Sequence, residues 1–171
     1  MWKYIGAEHP EFAEAPGPGQ ESVWDYPRPP QVVLDKRRVE VVHDGITIAD
    51  TRTAIRVLET ASPPTFYLPP DNVRVECLEQ SGRSSGCEWK GSATYWSLRL
   101  GHDVLEDVAW SYRQPLPGFE AIAGYFSFYP ARVECRVDGV RVKPQPGGFY
   151  GGWVTPEIVG PFKGASGTGW W

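Results

Sequence analysis

Arg38-Val39-Glu40-Val41-Val42-His43-Asp44-Gly45-Ile46-Thr47-Ile48-Ala49 is the stretch whose reading decides the fold. Apolar and polar residues alternate on both sides of Asp44-Gly45. A two-residue Asp-Gly loop needs positive φ at both positions, which these residue types tolerate, so the stretch predicts a β-hairpin. Arg132-Val133-Glu134-Cys135-Arg136-Val137-Asp138-Gly139-Val140-Arg141-Val142 repeats the plan with an offset of 94 residues. Two readings are open: a duplicated half with a pseudo-symmetric sheet, or two good hairpins that converge on the same residues.

Working outward, short apolar or alternating runs recur between proline and glycine punctuation. Val32-Val33-Leu34, Thr65-Phe66-Tyr67-Leu68, Val73 to Leu78, Ala93 to Leu100, Val108 to Tyr112 and Tyr125 to Tyr129 read as strands. Thr53 to Glu59 fits a strand or a short helix. Gln80 to Gly86 reads as a polar loop, and Glu120-Ala121-Ile122 as a single helical turn. The expected fold class is mainly β: a bent antiparallel sheet or partly open barrel with at most one or two short helices. Residues 1–30 read as a proline-rich arm or a disordered leader, 31–143 as the β-rich core, and 144–171 as a glycine- and aromatic-rich strap with a frayed Trp170-Trp171 end.

Composition narrows the function classes. The 171 residues carry a net charge of −4 without a basic patch, which argues against binding a nucleic-acid duplex. No run is long and apolar enough to span a bilayer and no signal peptide is evident, so a cytoplasmic location without a membrane partner is expected. Three separated cysteines with no Cys-x-x-Cys pair predict neither a disulfide framework nor a structural zinc site. His9, His43 and His102 are scattered. His102-Asp103 with Glu106 and Asp107 reads as a solvated acidic loop before a strand, so no metal site is expected. Eight tryptophans exceed what a core of this size needs, which points to aromatics in a pocket or interface.

The richest chemistry lies in Gly86-Cys87-Glu88-Trp89-Lys90-Gly91-Ser92-Ala93-Thr94-Tyr95-Trp96-Ser97. A Lys90 amine buried among indoles would have a depressed pKa, suiting a nucleophile or base. If charged, it would hold a carboxylate or phosphate. The bland alternative is a turn lysine lying over Trp89. Cys87, three residues earlier, is either a thiolate activated by that amine or a small buried hydrophobe. Period-two spacing places Trp110 with Tyr112, and Tyr125 with Tyr129, on common strand faces. Tyr67, Cys87, Lys90, Tyr95, Trp110, Tyr112, Tyr125 and Tyr129 are therefore the candidate ligand-binding residues. Lys90 and Cys87 are also the candidates for catalysis.

Thr65-Phe66-Tyr67-Leu68-Pro69, Cys87 to Trp96, Ala109-Trp110-Ser111-Tyr112 with Pro115 and Pro117, and Gly124-Tyr125-Phe126-Ser127-Phe128-Tyr129 together resemble the bacterial domain-of-unknown-function family 427. The resemblance spans roughly residues 31–143. It implies a small, mostly β, single-domain protein. It also carries a nucleotidyltransferase-like heading, which implies an enzyme acting on nucleotides. The chain has no Asp-x-Asp pair or phosphate-cradling Gly-x-x-x-x-Gly-Lys to match that heading. It also has Glu88 where the family pattern has proline. The sequence thus supports a small-molecule-binding protein with an aromatic pocket around Lys90 and no identifiable cofactor. The alternatives are a nucleotide enzyme, or an assembly module forming a homodimer through the arm or the strap.

Overall fold

The computed structural model of the protein describes residues 2–171. In chain order the strands are β1 (Glu21–Ser22), β2 (Gln31–Asp35), β3 (Val39–His43), β4 (Ile46–Thr51), β5 (Ala54–Leu58), β6 (Thr65–Tyr67), β7 (Leu78–Cys87) and β8 (Gly91–Leu100). They continue as β9 (Asp103–Ser111), β10 (Phe126–Phe128), β11 (Glu134–Val137), β12 (Val140–Arg141), β13 (Lys143–Pro144), β14 (Trp153–Val154) and β15 (Ile158–Val159). Among the described residues, helical structure is limited to three-residue turns at Val23–Asp25, Pro70–Asn72, Val75–Cys77 and Glu120–Ile122. The protein is mainly β, built from several antiparallel sheets, with no closed barrel among the described residues.

Both Asp-Gly loops take the predicted backbone. Asp44 and Gly45 have φ of 48° and 74°, and Asp138 and Gly139 have 47° and 79°. The two hairpins lie side by side in one sheet of order β12-β11-β3-β4. Val42 pairs with Glu134 and Glu40 with Arg136, which are the same pairing under the sequence offset, centred on Val41 opposite Cys135. The hairpin registers also match, with Val42 opposite Thr47 and Arg136 opposite Arg141. The repeat therefore coincides with a local two-fold axis of this sheet. The strands β5 to β10 fall between the two copies in the chain.

A second four-stranded sheet has the order β10-β9-β8-β7, and a three-stranded sheet the order β2-β5-β6. Reciprocal main-chain hydrogen bonds between Leu68 and Phe126, at 2.8 and 2.9 Å, join these two. The main core fills the space between the hairpin sheet and the β7–β10 sheet, around Val39, Val41, Ile48, Leu98, Val108 and Phe128. On the other face of β8 and β9, a second cluster forms around Tyr67, Tyr95, Trp110, Tyr112 and Tyr129. Alternation along the strands divides the side chains between these clusters, so β8 and β9 separate the main core from a layer rich in tyrosine and tryptophan.

Of the two readings of Thr53 to Glu59 the strand is the one adopted, as β5. Two local expectations need correction. Gln80 to Gly86 is the middle of the edge strand β7 rather than a loop; its polar side chains reflect an exposed edge. Val73 to Leu78 is not a strand over its length. Pro69-Pro70 starts a turn, and Arg74 N–H is taken by the Ile48 carbonyl at 2.8 Å, so the chain coils before joining β7. The acidic cluster at Asp103, Glu106 and Asp107 lies within β9.

The terminal segments pack together. β1 pairs in parallel with β15, and Val23, Trp24 and Tyr26 bury against Leu58, Ala61 and Ile158. Trp171 is not frayed: it stacks on Phe12 at 5.0 Å and meets Trp24 edge-on at 5.3 Å. Trp153 is fully buried, stacks on Phe66 at 4.7 Å and donates its Nε1–H to the Phe128 carbonyl at 2.9 Å.

Asp35 ties the arm side to the body. Its carboxylate receives Arg37 Nη2 at 2.7 Å and faces Arg56 Nε at 3.3 Å, and Arg37 continues to Glu157. Burial pushes the Asp35 carboxyl up, but the Arg37 side-chain and main-chain hydrogen bonds outweigh it and hold its pKa below the ordinary carboxyl value. Asp35→Asn is expected to cost about 3 kcal/mol, because two guanidinium groups lose their shared partner. A depressed folded-state pKa means that this stability is present at neutral pH and is lost as pH falls through that depressed value. Urea melts of wild type and variant at pH 7 and pH 3 should show a gap that narrows in acid; a constant gap would contradict the assignment.

Candidate functional site

The β7–β8 hairpin carries Glu88, Trp89 and Lys90 in its loop, with Cys87 paired to Gly91 at its base. The Lys90 carbonyl accepts Leu116 N–H at 3.1 Å, which pins the loop against the Pro115–Gly118 turn. The Lys90 side chain is thereby held inward: the residue is only 8% exposed. It faces a cavity of about 280 Å³ lined by the aromatic layer of β6, β8 and β9.

Cross-strand register assembles that layer. Tyr95 of β8 lies directly opposite Trp110 of β9, and Trp110 is packed at 4.6 Å by Tyr129. Trp110 Nε1–H points to Tyr67 Oη at 3.4 Å, and Tyr95 Oη pairs with Ser85 Oγ at 2.8 Å. Gly151 forms part of the opposite wall. A Cβ there would meet Trp110 Cη2 at 2.2 Å, so only glycine lets the C-terminal segment pass this closely over the indole.

Seven of the eight sequence-derived candidates line the same cavity: Tyr67, Cys87, Lys90, Tyr95, Trp110, Tyr112 and Tyr129. Tyr125 does not; it sits partly buried at the edge of the aromatic cluster. The sequence reasoning missed Trp2, Glu59, Tyr150 and Lys163, which complete the walls from distant segments. Lys163 could have been noticed as the single basic residue after Lys143. Glu88, the residue that departs from the family pattern, accepts Trp2 Nε1–H at 3.0 Å and so fixes Trp2 at the rim.

The sequence left the charge state of Lys90 open between a depressed amine and an ammonium that holds an anion. Burial does pull its pKa down, but its interactions with Tyr67, Cys87 and Glu59 outweigh this, and the net shift is upward. Lys90 is thus an ammonium, suited to holding an anion and not to acting as a free amine. Its ring neighbour is Tyr112, whose centroid lies 5.9 Å from Nζ, rather than Trp89. Burial also raises the Tyr112 and Tyr129 pKa values, so both hydroxyls remain protonated donors at neutral pH. Among the described residues no carboxylate forms an ion pair with Lys90; Glu59 is engaged by Arg28, Nε to Oε1 at 3.1 Å. Trp89, also on the cavity wall, has a buried Nε1–H with no acceptor.

Cys77 and Cys135 are buried, whereas Cys87 is half-buried at the cavity wall. In native protein, one thiol is expected to react with a small thiol reagent well before the other two. Peptide mapping should place the early label on Cys87. Early labelling at Cys77 or Cys135 would contradict the packing described.

Fold and site together define a β-rich protein with an amphipathic, cation-bearing cavity. The model of the domain of unknown function DUF427 matches residues 31–140, and the chain belongs to that family. No curated protein matches the chain. The matched region holds Glu59, Tyr67, Cys87, Lys90, Tyr95, Trp110, Tyr112 and Tyr129, whereas Trp2, Tyr150 and Lys163 lie outside it. Among the described residues, no helix is long and apolar enough to cross a membrane.

Proposed function

We propose that the protein binds a small organic molecule in this cavity, with Lys90 taking its acidic group and the aromatic walls packing its planar or apolar part. The observation that carries this reading is the buried Lys90 ammonium, which faces open space with no carboxylate paired to it among the described residues. A buried charge is ordinarily paired, because desolvation is costly. An anionic ligand supplies the missing partner. The unmet Trp89 N–H adds to the surplus of donors. Concave, mostly apolar walls with few convergent polar groups are the usual form of a small-molecule site.

The nucleotide-enzyme alternative receives less support. Nucleotidyl transfer asks for paired carboxylates on a metal ion. The two carboxylates at this cavity are held apart by different partners, Glu59 by Arg28 and Glu88 by Trp2.

A thermal-shift panel of aryl carboxylates, with the corresponding neutral amides as controls, tests the reading. A ligand at a hundred times its Kd stabilises by about 2.7 kcal/mol, which for a domain of this size corresponds to several degrees in Tm. Acids should raise Tm and amides should not. Equal responses from acids and amides, or none from either, would contradict the role given to Lys90.

A further inference from the structure

Strands β13 and β14 pair as a hairpin whose loop, residues 145–152, supplies part of the cavity wall. Buried Gln145 clasps this loop at its base. Its N–H donates to the Gly152 carbonyl at 3.2 Å, and its Oε1 accepts Gly152 N–H at 3.0 Å. Its Nε2–H donates to the Lys163 carbonyl at 2.7 Å, which ties the base to the segment that follows. Close backbone approach holds the loop at two more points. A Cβ at Gly147 would meet the Gly164 carbonyl oxygen at 2.1 Å, and Gly151 lies against the Trp110 indole.

Between these fixed points, Gly148, Phe149 and Tyr150 are weakly held. Among the described residues, no main-chain N–H of the three donates a hydrogen bond. The Phe149 carbonyl accepts only from Tyr129 Oη, at 3.4 Å, which is long for an O–H···O bond. Gly148 has φ of 114° with open space around it, and glycine leaves or adopts such a backbone without strain. Phe149 and Tyr150 meet edge-on at 5.1 Å and line the cavity, yet they are 55% and 39% exposed. Few hydrogen bonds and exposed apolar surface mark a segment of low local stability. Two large rings beside a cavity, carried on three weakly held residues between fixed ends, are the parts of a flap.

We propose that residues 148–150 are a flap that closes over the bound molecule and brings the rings of Phe149 and Tyr150 onto it. This rests on the reading of the cavity as a small-molecule site and describes how that site is opened and shut. Closure turns the backbone at Gly148 and gives up the long Tyr129 contact, while Gln145 and Gly151 keep the ends in place. Burial of the two rings against the ligand favours the closed form, so that form belongs to the complex. The flap lies outside the family match, so this gate is a feature of the chain's C-terminal segment.

Hydrogen exchange and chymotrypsin cleavage of the full chain, with and without 2-naphthoate, test the flap, and a thermal shift establishes binding of the probe. In the free protein the amides of residues 148–150 should exchange rapidly, and chymotrypsin should cut after Phe149 or Tyr150. Saturating naphthoate should slow both by about tenfold or more. Phe149→Ala should leave the Tm of the free protein unchanged, because the ring is mostly exposed there. It should raise the naphthoate dissociation rate by about tenfold while the association rate stays nearly constant. A raised Tm with unchanged exchange and cleavage at residues 148–150 would overturn the flap and leave the cavity reading standing. A dissociation rate from Phe149→Ala equal to that from wild type would do the same. Absence of any Tm response to naphthoate would overturn the cavity reading and the flap with it.

Discussion

Lys90→Met is expected to abolish ligand binding without lowering the stability of the ligand-free protein. The variant removes an ammonium that is buried and has no carboxylate paired to it among the described residues. Methionine has similar length and no charge, and it adapts its shape to irregular surroundings. Its removal breaks no ion pair and strands no carboxylate, since Glu59 keeps Arg28. The Tm of the free variant should therefore stay within a few degrees of wild type or rise. Affinity for aryl acids should fall by about a hundredfold or more, the usual loss when one partner of a buried charge contact is removed. This opposition of stability and binding is what separates a binding residue from a packing residue. A large drop in Tm would instead assign Lys90 to the architecture.

Trp153→Ala is expected to be the most destabilising single change in the molecule. The side chain is fully buried in the main core, stacked on Phe66 and hydrogen-bonded to the Phe128 carbonyl. Truncating a buried tryptophan costs about 3–5 kcal/mol, and the orphaned carbonyl adds roughly 1 kcal/mol. For a chain of this length the Tm should fall by about 10 °C or more. Trp153→Phe should recover most of that loss, because it keeps the stacking and forfeits only the hydrogen bond. Trp153 also anchors the segment in which Gly151 passes over Trp110, so the alanine variant should lose ligand response along with stability. A drop of only a degree or two would show that the C-terminal segment is not part of the folded unit.

The two predictions separate what the sequence made legible from what it did not. Alternation and Asp-Gly loops reported the hairpins because both are local rules. The aromatic layer was legible for the same reason: Trp110 and Tyr112 share a strand face by period two, and the Cys87-to-Trp96 stretch concentrates unusual residues in one hairpin. The edge strand β7 was not legible, because an exposed edge has no apolar face to alternate. The coil through Val73–Cys77 was hidden by an alternation that the neighbouring prolines and the Ile48 carbonyl override. The charge state of Lys90 was not legible, because its neighbours in the sequence are indoles and local pattern does not show what else surrounds it. Glu59, which helps to hold it charged, comes from the end of a strand paired elsewhere in the fold. Lys163 and Trp2 reach the cavity from opposite ends of the sequence, and no short-range pattern announces contacts of that range.

Native mass spectrometry of freshly purified protein, beside a denatured control and the Lys90→Met variant, tests the central claim most directly. The account predicts that wild type carries a small acidic molecule that leaves on denaturation and is missing from the variant. Retention of the same molecule by Lys90→Met would contradict it.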